Sequence, residues 1–381
     1  MFYLDYAAST PMDSAVIDCM MYHCRHTYAN PSATTHLNGH QASQVVLQAQ
    51  RQVASLIGGE PNSIIFTSGA TEANNLAIFG ASRAYRKQGG HIISSAVEHS
   101  AVLEPIKQLE KQGFEVTYLM PDETGQISAN AVADALRPDT ILVSIMAVNN
   151  ELGTCYPIQA IGQQLINHPA LLHVDAVQGV GKIPIDVTAM GIDLLSLSGH
   201  KLYGPKGIGA LYVRPKVKLE AQMLGGRQQK QKRPGTLPTP QIAGLGLACE
   251  LAQQRFYAHQ TLLNDLYHTF VNGLSDIPEV TIRQADQFYP GIVNVTFHQV
   301  NSQALMAWLP DVAFSAGSAC QAQFISTSHV LSAIGLDDQQ ASQTVRFSFG
   351  QGITVADLKT LVGRIQQAVA QIRAIGGQND L

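Results

Sequence analysis

Short apolar runs alternate along this chain with segments of helical spacing, and the order of the two predicts the fold. The apolar runs cover residues 64–66, 91–97, 141–148, 171–174 and 192–198. Helical spacing occupies three of the gaps, at residues 71–88, 100–112 and 157–167. A repeated β-α-β order requires right-handed crossovers and produces a mainly parallel sheet covered by helices on both faces. We therefore predict an α/β fold.

Polar or small residues with chemical uses follow each of these runs. The five groups are residues 67–71, 98–99, 149–151, 175–178 and 199–201. In open parallel sheets, ligands bind beyond the carboxyl ends of the strands. We therefore expect all five groups to converge on one crevice.

Lys201 has the most specific chemistry in this set. It lies between an apolar run that ends at Ser198 and another that begins at Gly207. A lysine that loses its hydration near other cations loses its proton, becomes a nucleophile and can hold an aldehyde cofactor. A single lysine in a loop more often points into water, so the cofactor interpretation depends on the other four groups.

Pyridoxal phosphate is an aldehyde cofactor whose requirements the neighbouring groups meet. Asp175 ends the strand before the lysine strand and can pair with the pyridine nitrogen, while Gln178 can donate to the phenolic oxygen. The phosphate needs backbone N–H groups, hydroxyls and a helix start, which residues 68–72 supply. Ser198 and His200 add side-chain donors. A simple capping box would explain residues 68–72 equally well.

Chain length and charge limit the further possibilities. The 381 residues exceed the range of about 250 to 300 within which a single core grows, so we expect two domains. We place a large cofactor-binding domain at residues 14–255 and a smaller one at residues 1–13 together with 256–381. The formal net charge is −4, and no basic block suggests nucleic-acid binding.

The N-terminus and the cysteines indicate the cellular setting. The chain begins without a secretory signal, and no apolar run reaches the roughly 20 residues that span a bilayer, so we expect a soluble, cytoplasmic protein without a membrane partner. Five cysteines do not suggest a disulfide framework. Cys19 and Cys24 would lie on diverging faces of a helix, so we expect no metal site.

Taken together, the motifs resemble the cysteine desulfurases of the class V aminotransferase superfamily. They occur in the family's order from Leu4 to Ser348, almost the whole chain. The segments that carry the resemblance are residues 67–72, 98–99, 148–151, 173–178 and 198–201. The resemblance implies the type I fold of pyridoxal-phosphate enzymes, with a seven-stranded, mainly parallel sheet between helices and a smaller α+β domain. It also implies a homodimer whose active sites lie at the interface.

The resemblance assigns roles to the cofactor-binding residues. Lys201 would hold pyridoxal phosphate covalently and move protons on the substrate, while Asp175 and Gln178 would contact the pyridine nitrogen and the phenolic oxygen. His99 would stack on the ring and act as an acid and base. The remaining residues implied for the phosphate are Ala70, Thr71, Ser198, His200 and, from the neighbouring subunit, Thr236.

The resemblance also implies the substrate and the nucleophile. Asn150 and Arg346 would hold the carboxylate of L-cysteine, for which a guanidinium fork is well suited, although residue chemistry alone also allows Arg346 a buried ion pair. Cys320 would take the substrate sulfur as a persulfide, release L-alanine and pass the sulfur to an acceptor protein, for example in iron-sulfur cluster assembly. Composition alone would make Cys320 a buried small residue.

Three segments depart from the pattern of the housekeeping desulfurases. Residues 321–329 and 375–381 differ in composition from the corresponding family segments, and Pro234 precedes the Gly235 and Thr236 pair. The sulfur acceptor therefore stays open. The alternatives are a selenocysteine lyase or related class V β-lyase, and a degenerate relative that serves only as a binding partner.

Overall fold

The computed structural model describes residues 1–316 and 328–376. Within these ranges the helices are α1 (Ser14–His26), α2 (Leu37–Ile57), α3 (Ala70–Tyr85), α4 (Ser100–Glu110), α5 (Ala129–Ala135), α6 (Ile158–Gln164), α7 (Thr239–Gln254), α8 (Phe256–Leu274), α9 (Ser302–Trp308), α10 (His329–Ala333), α11 (Asp338–Ser342) and α12 (Val355–Gly376). None of these helices combines the length and the hydropathy that a bilayer-spanning segment needs.

The strands of the same ranges form three sheets. They are β1 (Phe2–Tyr3), β2 (Ile64–Thr67), β3 (His91–Ser95), β4 (Glu115–Leu119), β5 (Thr140–Met146), β6 (Leu171–Asp175), β7 (Leu194–Ser198), β8 (Gly209–Val213), β9 (Val280–Arg283), β10 (Ile292–Phe297), β11 (Val312–Ala313), β12 (Ser315–Ala316) and β13 (Thr344–Ser348).

The largest sheet has seven strands in the order β2-β8-β7-β6-β5-β3-β4. The four pairings from β7 to β4 are parallel, while β8 runs antiparallel to both β7 and β2. The predicted α/β fold with a mainly parallel seven-stranded sheet is therefore confirmed. The carboxyl ends of β3, β5, β6 and β7 lie along one edge of this sheet.

Apolar side chains cover both faces of the seven-stranded sheet. Ile92 and Leu142 pack in a core cluster with Leu76 of α3, whereas their strand neighbours Ile93 and Val143 pack in a second cluster on the other face. Successive residues of a strand point to opposite faces. Strands buried on both faces read as continuous apolar runs rather than alternating ones, which is why short unbroken runs predicted these strands.

The N-terminal and C-terminal segments build a separate pair of sheets. Strands β12, β13, β10 and β9 form an antiparallel sheet, and β1 pairs with β11 in parallel. Helices α8 and α12 pack together in this part of the molecule. Arg255 separates α7 from α8. The proposed domain boundaries at residues 13 and 255 stay a prediction.

Gly209 allows β8 to pass directly against the start of α3. A Cβ atom at this position would lie 2.6 Å from the carbonyl oxygen of Leu197 and 2.8 Å from the Cα atom of Gly69. These neighbours are backbone atoms, which cannot rotate away as a side chain can. The close approach therefore positions residues 68–72 over the end of β7.

We expect Gly209→Ala to lower the free energy of unfolding by about 1 to 3 kcal/mol, because the added methyl group overpacks two backbone segments. Gly363→Ala is the matched control. Gly363 lies inside α12 with no atom within 4 Å of the added Cβ, so the same change should raise stability by about 0.5 to 1 kcal/mol. Urea unfolding of both variants measures the difference, and equal effects would contradict the packing argument.

Candidate active site

The five predicted groups meet in one cavity of about 570 Å³ beyond the strand ends. The predicted site residues that line it are Ala70, Thr71, His99, Asn150, Asp175, Gln178, Ser198, His200, Lys201 and Arg346. Thr236 is exposed and is not among the lining residues of this chain. Cys320 lies outside the described residues. The convergence follows from the parallel strands, whose carboxyl ends share one edge of the sheet.

The start of α3 forms one wall of the cavity and is suited to an anion. Gly69 is the N-cap and has no side chain to accept from the first-turn N–H groups. Glu72 accepts from the Ser68 N–H group at 2.7 Å and pairs with Arg233 at 2.8 Å. A capping box is therefore absent, because the N-cap has no side chain and Glu72 accepts from Ser68, the residue before the N-cap. Uncapped N–H groups at a helix start favour phosphate.

Asp175 is held rigidly at the end of β6. Its Oδ2 atom accepts from the side-chain amide of Asn74 at 2.7 Å, and its Oδ1 atom accepts from the N–H group of Val177 at 3.1 Å. Both Asp175 and Asn74 are buried. Sequence reasoning missed Asn74, although its position four residues after Ala70 on α3 places it on the same helix face. The protein itself therefore fixes the orientation of this carboxylate.

His99 is the N-cap of α4, and this role determines its tautomer. Its Nδ1 atom accepts from the N–H group of Ala101 at 3.1 Å, so in the neutral ring the proton is assigned to Nε2. Burial lowers the pKa of His99, Asp175 opposes that shift, and Lys201 and His329 add to it. A neutral ring with an N–H donor therefore lines the cavity.

Lys201 follows β7 at the end of a short 3₁₀ turn and contacts the N-terminal segment. Its Nζ atom donates to the carbonyl oxygens of Ala7 and Ala8 at 2.5 and 2.7 Å. The alternative in which this lysine points into bulk water is therefore wrong. The N-terminal segment is a wall of the site that the strand-end pattern alone does not indicate. Ser9 and Lys206 line the same cavity and were not predicted either.

His200 is a neutral neighbour of this lysine. Burial is the main cause that lowers its pKa to about 4, and Lys201, Lys206 and Lys182 lower it further. Its Nδ1 atom lies 3.3 Å from the hydroxyl of Ser9. The ring can therefore offer a hydrogen-bond donor near an anion without carrying a charge of its own.

Arg346 on β13 forms a buried ion pair and also lines the cavity, which are the two alternatives that its chemistry allowed. Its guanidinium pairs with Asp5 at 2.8 Å and donates to the backbone oxygen of Asn150 at 2.8 Å, and it also lines the cavity. Ser315 lies 3.1 Å from the same guanidinium. Arg346 is thus a buried ion pair whose fork faces the site, and it links the antiparallel sheet to the large one.

The described cysteines lie away from the cavity. Cys19, Cys24, Cys155 and Cys249 are free thiols and none of them lines it. Burial raises the pKa of Cys155 and of Cys249 to about 12, so neither forms a thiolate readily. Residues 1–316 and 328–376 contain no group of three or more His, Cys, Asp or Glu side chains placed to hold a metal ion.

Glu98 is a fully buried carboxyl beneath the site. Its Oε1 atom accepts from the hydroxyl of Ser95 at 2.8 Å and from the N–H group of Met146 at 2.9 Å. Its Oε2 atom has no hydrogen-bond partner among the described residues. Burial, with a smaller contribution from Asp175, raises the pKa of Glu98 to about 8, so the carboxyl is largely protonated at neutral pH.

Comparison with known proteins places the chain among characterised relatives. The family model for aminotransferase class V matches residues 2–361. The cysteine desulfurase IscS of Salmonella paratyphi B is 45% identical over 376 residues, which cover 97% of this chain and 93% of that protein. A solved NifS-like protein is 32% identical with a TM-score of 0.90, covering 97% of this chain and 99% of its own. SspA in complex with cysteine is 41% identical with a TM-score of 0.80, covering 92% and 99%.

We expect Glu98→Gln to remove a pH dependence of stability. The pKa of Glu98 is raised from 4.5 to about 8, so its contribution is fully present below pH 4.5 and is lost as the pH rises towards 8. Glutamine does not ionise, so the stability of the variant relative to wild type should increase over this window, by at most about 1.4 kcal/mol per pH unit.

Urea unfolding across the window from about pH 5 to pH 8 measures this slope. Glu104→Gln is the control, because Glu104 is an exposed carboxyl of α4 paired with Lys107. Its stability difference from wild type should stay flat over the same window. Parallel curves for wild type and Glu98→Gln would contradict a protonated Glu98.

Proposed function

The chain belongs to the class V aminotransferase family as one of its cysteine desulfurases, and from this membership we propose a reaction at the cavity described above. Pyridoxal phosphate is the cofactor, L-cysteine is the substrate, and L-alanine and a persulfide on Cys320 are the products. The observation that carries the proposal is the meeting of Lys201, Asp175 and His99 in one cavity that also contains an uncapped helix start.

The donor set of the cavity fits pyridoxal phosphate. The N–H groups at the start of α3, the hydroxyls of Thr71 and Ser198, and His200 would hold the phosphate. Asp175 would pair with the ring nitrogen, since its carboxylate is already oriented by Asn74. His99 would lie against the ring, and Lys201 would hold the aldehyde carbon. The cavity volume of about 570 Å³ is within the usual size of a cofactor site.

When bound, the cofactor withdraws electrons from the substrate Cα atom and thereby makes its proton acidic. The Nζ atom of Lys201 takes that proton and later returns one, which produces alanine. Asp175 keeps the proton on the ring nitrogen. His99 offers an Nε2 proton because Ala101 occupies its Nδ1 atom. Each protein group therefore holds or moves one proton at a defined atom.

Arg346 and Asn150 would orient the substrate by its carboxylate. The guanidinium is already held on two sides by Asp5 and by the backbone of Asn150, so little side-chain freedom is lost when a carboxylate binds. One anionic partner, Asp5, offsets its charge in the absence of substrate. This arrangement favours an amino acid over an amine without a carboxylate.

Cys320 would be the nucleophile that receives the sulfur. The thiolate would attack the sulfur of the substrate and form the S–S bond of the persulfide while the Cβ–S bond breaks. The electron pair of the broken bond would take up a proton at Cβ, which becomes the methyl group of alanine. Ser315, which pairs with Arg346 in the antiparallel sheet, lies on β12, the last described strand before Cys320. Three residues separate Ala316 from Cys320, and the four steps between the two span at most about 14 Å when extended. The chain length therefore permits contact with the cavity.

A second copy of this chain would complete the site. Large apolar side chains are exposed on α1, between α1 and α2, at the start of α2 and in the segment before residue 225: Ile17, Met21, Tyr22, Tyr28, Leu37 and Leu224. Exposed apolar surface of this kind is typical of an association face. Thr236 is exposed in a segment that the Arg233 and Glu72 pair fastens to the start of α3. We therefore infer that Thr236 serves the partner's phosphate site.

We expect Cys320→Ala to retain the yellow cofactor but to stop the release of alanine from L-cysteine, because the sulfur no longer has an acceptor thiol. Cys24→Ala is the matched control, since Cys24 is an exposed free thiol, and it should keep full activity. Alanine quantification and mass spectrometry of the persulfide measure both. Unchanged turnover without Cys320 would favour the β-lyase alternative, which does not need an enzyme-bound sulfur.

We expect a hybrid dimer to show that Thr236 acts between subunits. A Lys201→Ala chain combined with a Thr236→Ala chain should retain one site with wild-type cofactor affinity, because the intact lysine then faces the partner's intact threonine. The Thr236→Ala homodimer should bind the cofactor about tenfold more weakly, the effect of losing one hydrogen bond to a charged group.

The visible band of the lysine-bound cofactor reports only sites that keep Lys201, so absorbance titration of purified hybrids isolates the relevant site. A wild-type chain paired with a chain carrying both substitutions is the control, and it should show the weak affinity. If that control binds tightly and the first hybrid binds weakly, Thr236 serves its own chain.

A further inference from the structure

The turn after β6 contains a buried lysine that the proposed reaction does not use. Lys182 is 7% exposed. Its Nζ atom donates to the Oε1 atom of Gln178 at 2.5 Å. Gly181, at φ +72°, turns the chain between them, and a Cβ atom there would lie 2.8 Å from the Leu202 side chain. The turn therefore brings Lys182 back against the amide of a cavity residue.

No carboxylate of the described residues forms an ion pair with Lys182. Its Nζ atom lies 5.6 Å from the centre of the Tyr289 ring. Lys182 also lines a small cavity of about 30 Å³ together with His259. The one carboxylate that lines this cavity among the described residues belongs to Asp13, and it is paired with Arg255. Burial, with Lys201 and Arg346, lowers the pKa of Lys182 to about 7.

Lys182 and the Ala7 carbonyl together fix the direction of the Gln178 amide. Because the amide oxygen accepts from Lys182, the amide nitrogen lies on the other side, where it donates to the carbonyl oxygen of Ala7 at 2.8 Å. An amide nitrogen has a second hydrogen, and Gln178 lines the main cavity. The Ala7 oxygen also accepts from Lys201 at 2.5 Å. A continuous hydrogen-bonded chain thus joins the two lysines.

We propose that Lys182 is a positioning residue of the cofactor site, which holds the Gln178 amide so that its N–H group faces the phenolic oxygen of pyridoxal phosphate. This inference rests on the proposed cofactor. Without Lys182 the amide oxygen loses its donor and only the Ala7 contact holds the amide, so that the oxygen can turn towards the cavity, where it would repel the phenolic oxygen. Both the N–H donor and a cation behind it favour the deprotonated form of the lysine-bound cofactor.

The test is a pH titration of the visible absorbance of the holoprotein without cysteine. Lys182→Met removes the donor and the charge, and it should raise the midpoint of the spectral transition by about half to one pH unit. Lys182→Gln keeps an amide donor without the charge, and it should recover part of this shift. An unchanged midpoint in both variants would overturn the inference.

A double-substitution cycle separates positioning from a merely structural role. In a Gln178→Ala background, Lys182→Met should move the midpoint by less than it does in the wild-type background, because the part of its effect that passes through the amide is already lost. His259→Gln is the matched control: it alters the same small cavity but has no hydrogen bond to Gln178 among the described contacts, so the midpoint should stay at the wild-type value. A lower melting temperature with no change of midpoint in Lys182→Met would show a structural role only and overturn the proposal.

The same titration distinguishes the two proposals. Wild-type protein that develops no visible band with pyridoxal phosphate would overturn the proposed cofactor and, with it, this inference. A wild-type band whose midpoint is insensitive to Lys182 would overturn the positioning role alone.

Discussion

The active site depends on one topological constraint, the common direction of the central strands. Because β3, β5, β6 and β7 are parallel, their carboxyl ends lie at one edge of the sheet, and the residues that follow them share one cavity. His99, Asp175 and Lys201 are separated by up to 102 residues in sequence but need no long loop to meet. The rigid sheet supplies the precise spacing that proton transfer requires.

The N-terminal segment connects this rigid sheet to the rest of the molecule. The Ala7 carbonyl accepts from both Lys201 and Gln178, while Asp5 pairs with Arg346 on the antiparallel sheet. A few polar contacts therefore couple the proposed cofactor side of the cavity to the proposed substrate side. The residues nearest to Cys320 in the described chain belong to the same antiparallel sheet.

Burial of ionisable groups gives the site its electrostatic character. Glu98 is kept largely protonated, whereas His99 and His200 are favoured as neutral rings, in each case mainly because the charged form would lose its hydration. Burial likewise lowers the pKa of Lys182, which lies behind Gln178. Among these groups only His99 offers a proton in the proposed reaction, and the others set the charge of its surroundings.

The sequence by itself determined five strands of the large sheet and the α/β class, because apolar runs mark buried parallel strands and polar residues mark their ends. Its motifs determined the family and most of the cavity residues. Only the tertiary structure showed that Asn74 donates to Asp175, that Arg346 pairs with Asp5, and that Lys182 donates to Gln178. Two of these contacts join segments that are far apart in the chain, and the third depends on the path of a tight turn. Hydrophobic periodicity predicts neither kind of contact. Thr236 and Cys320 stay predictions, because the first concerns a second subunit and the second lies outside the described residues.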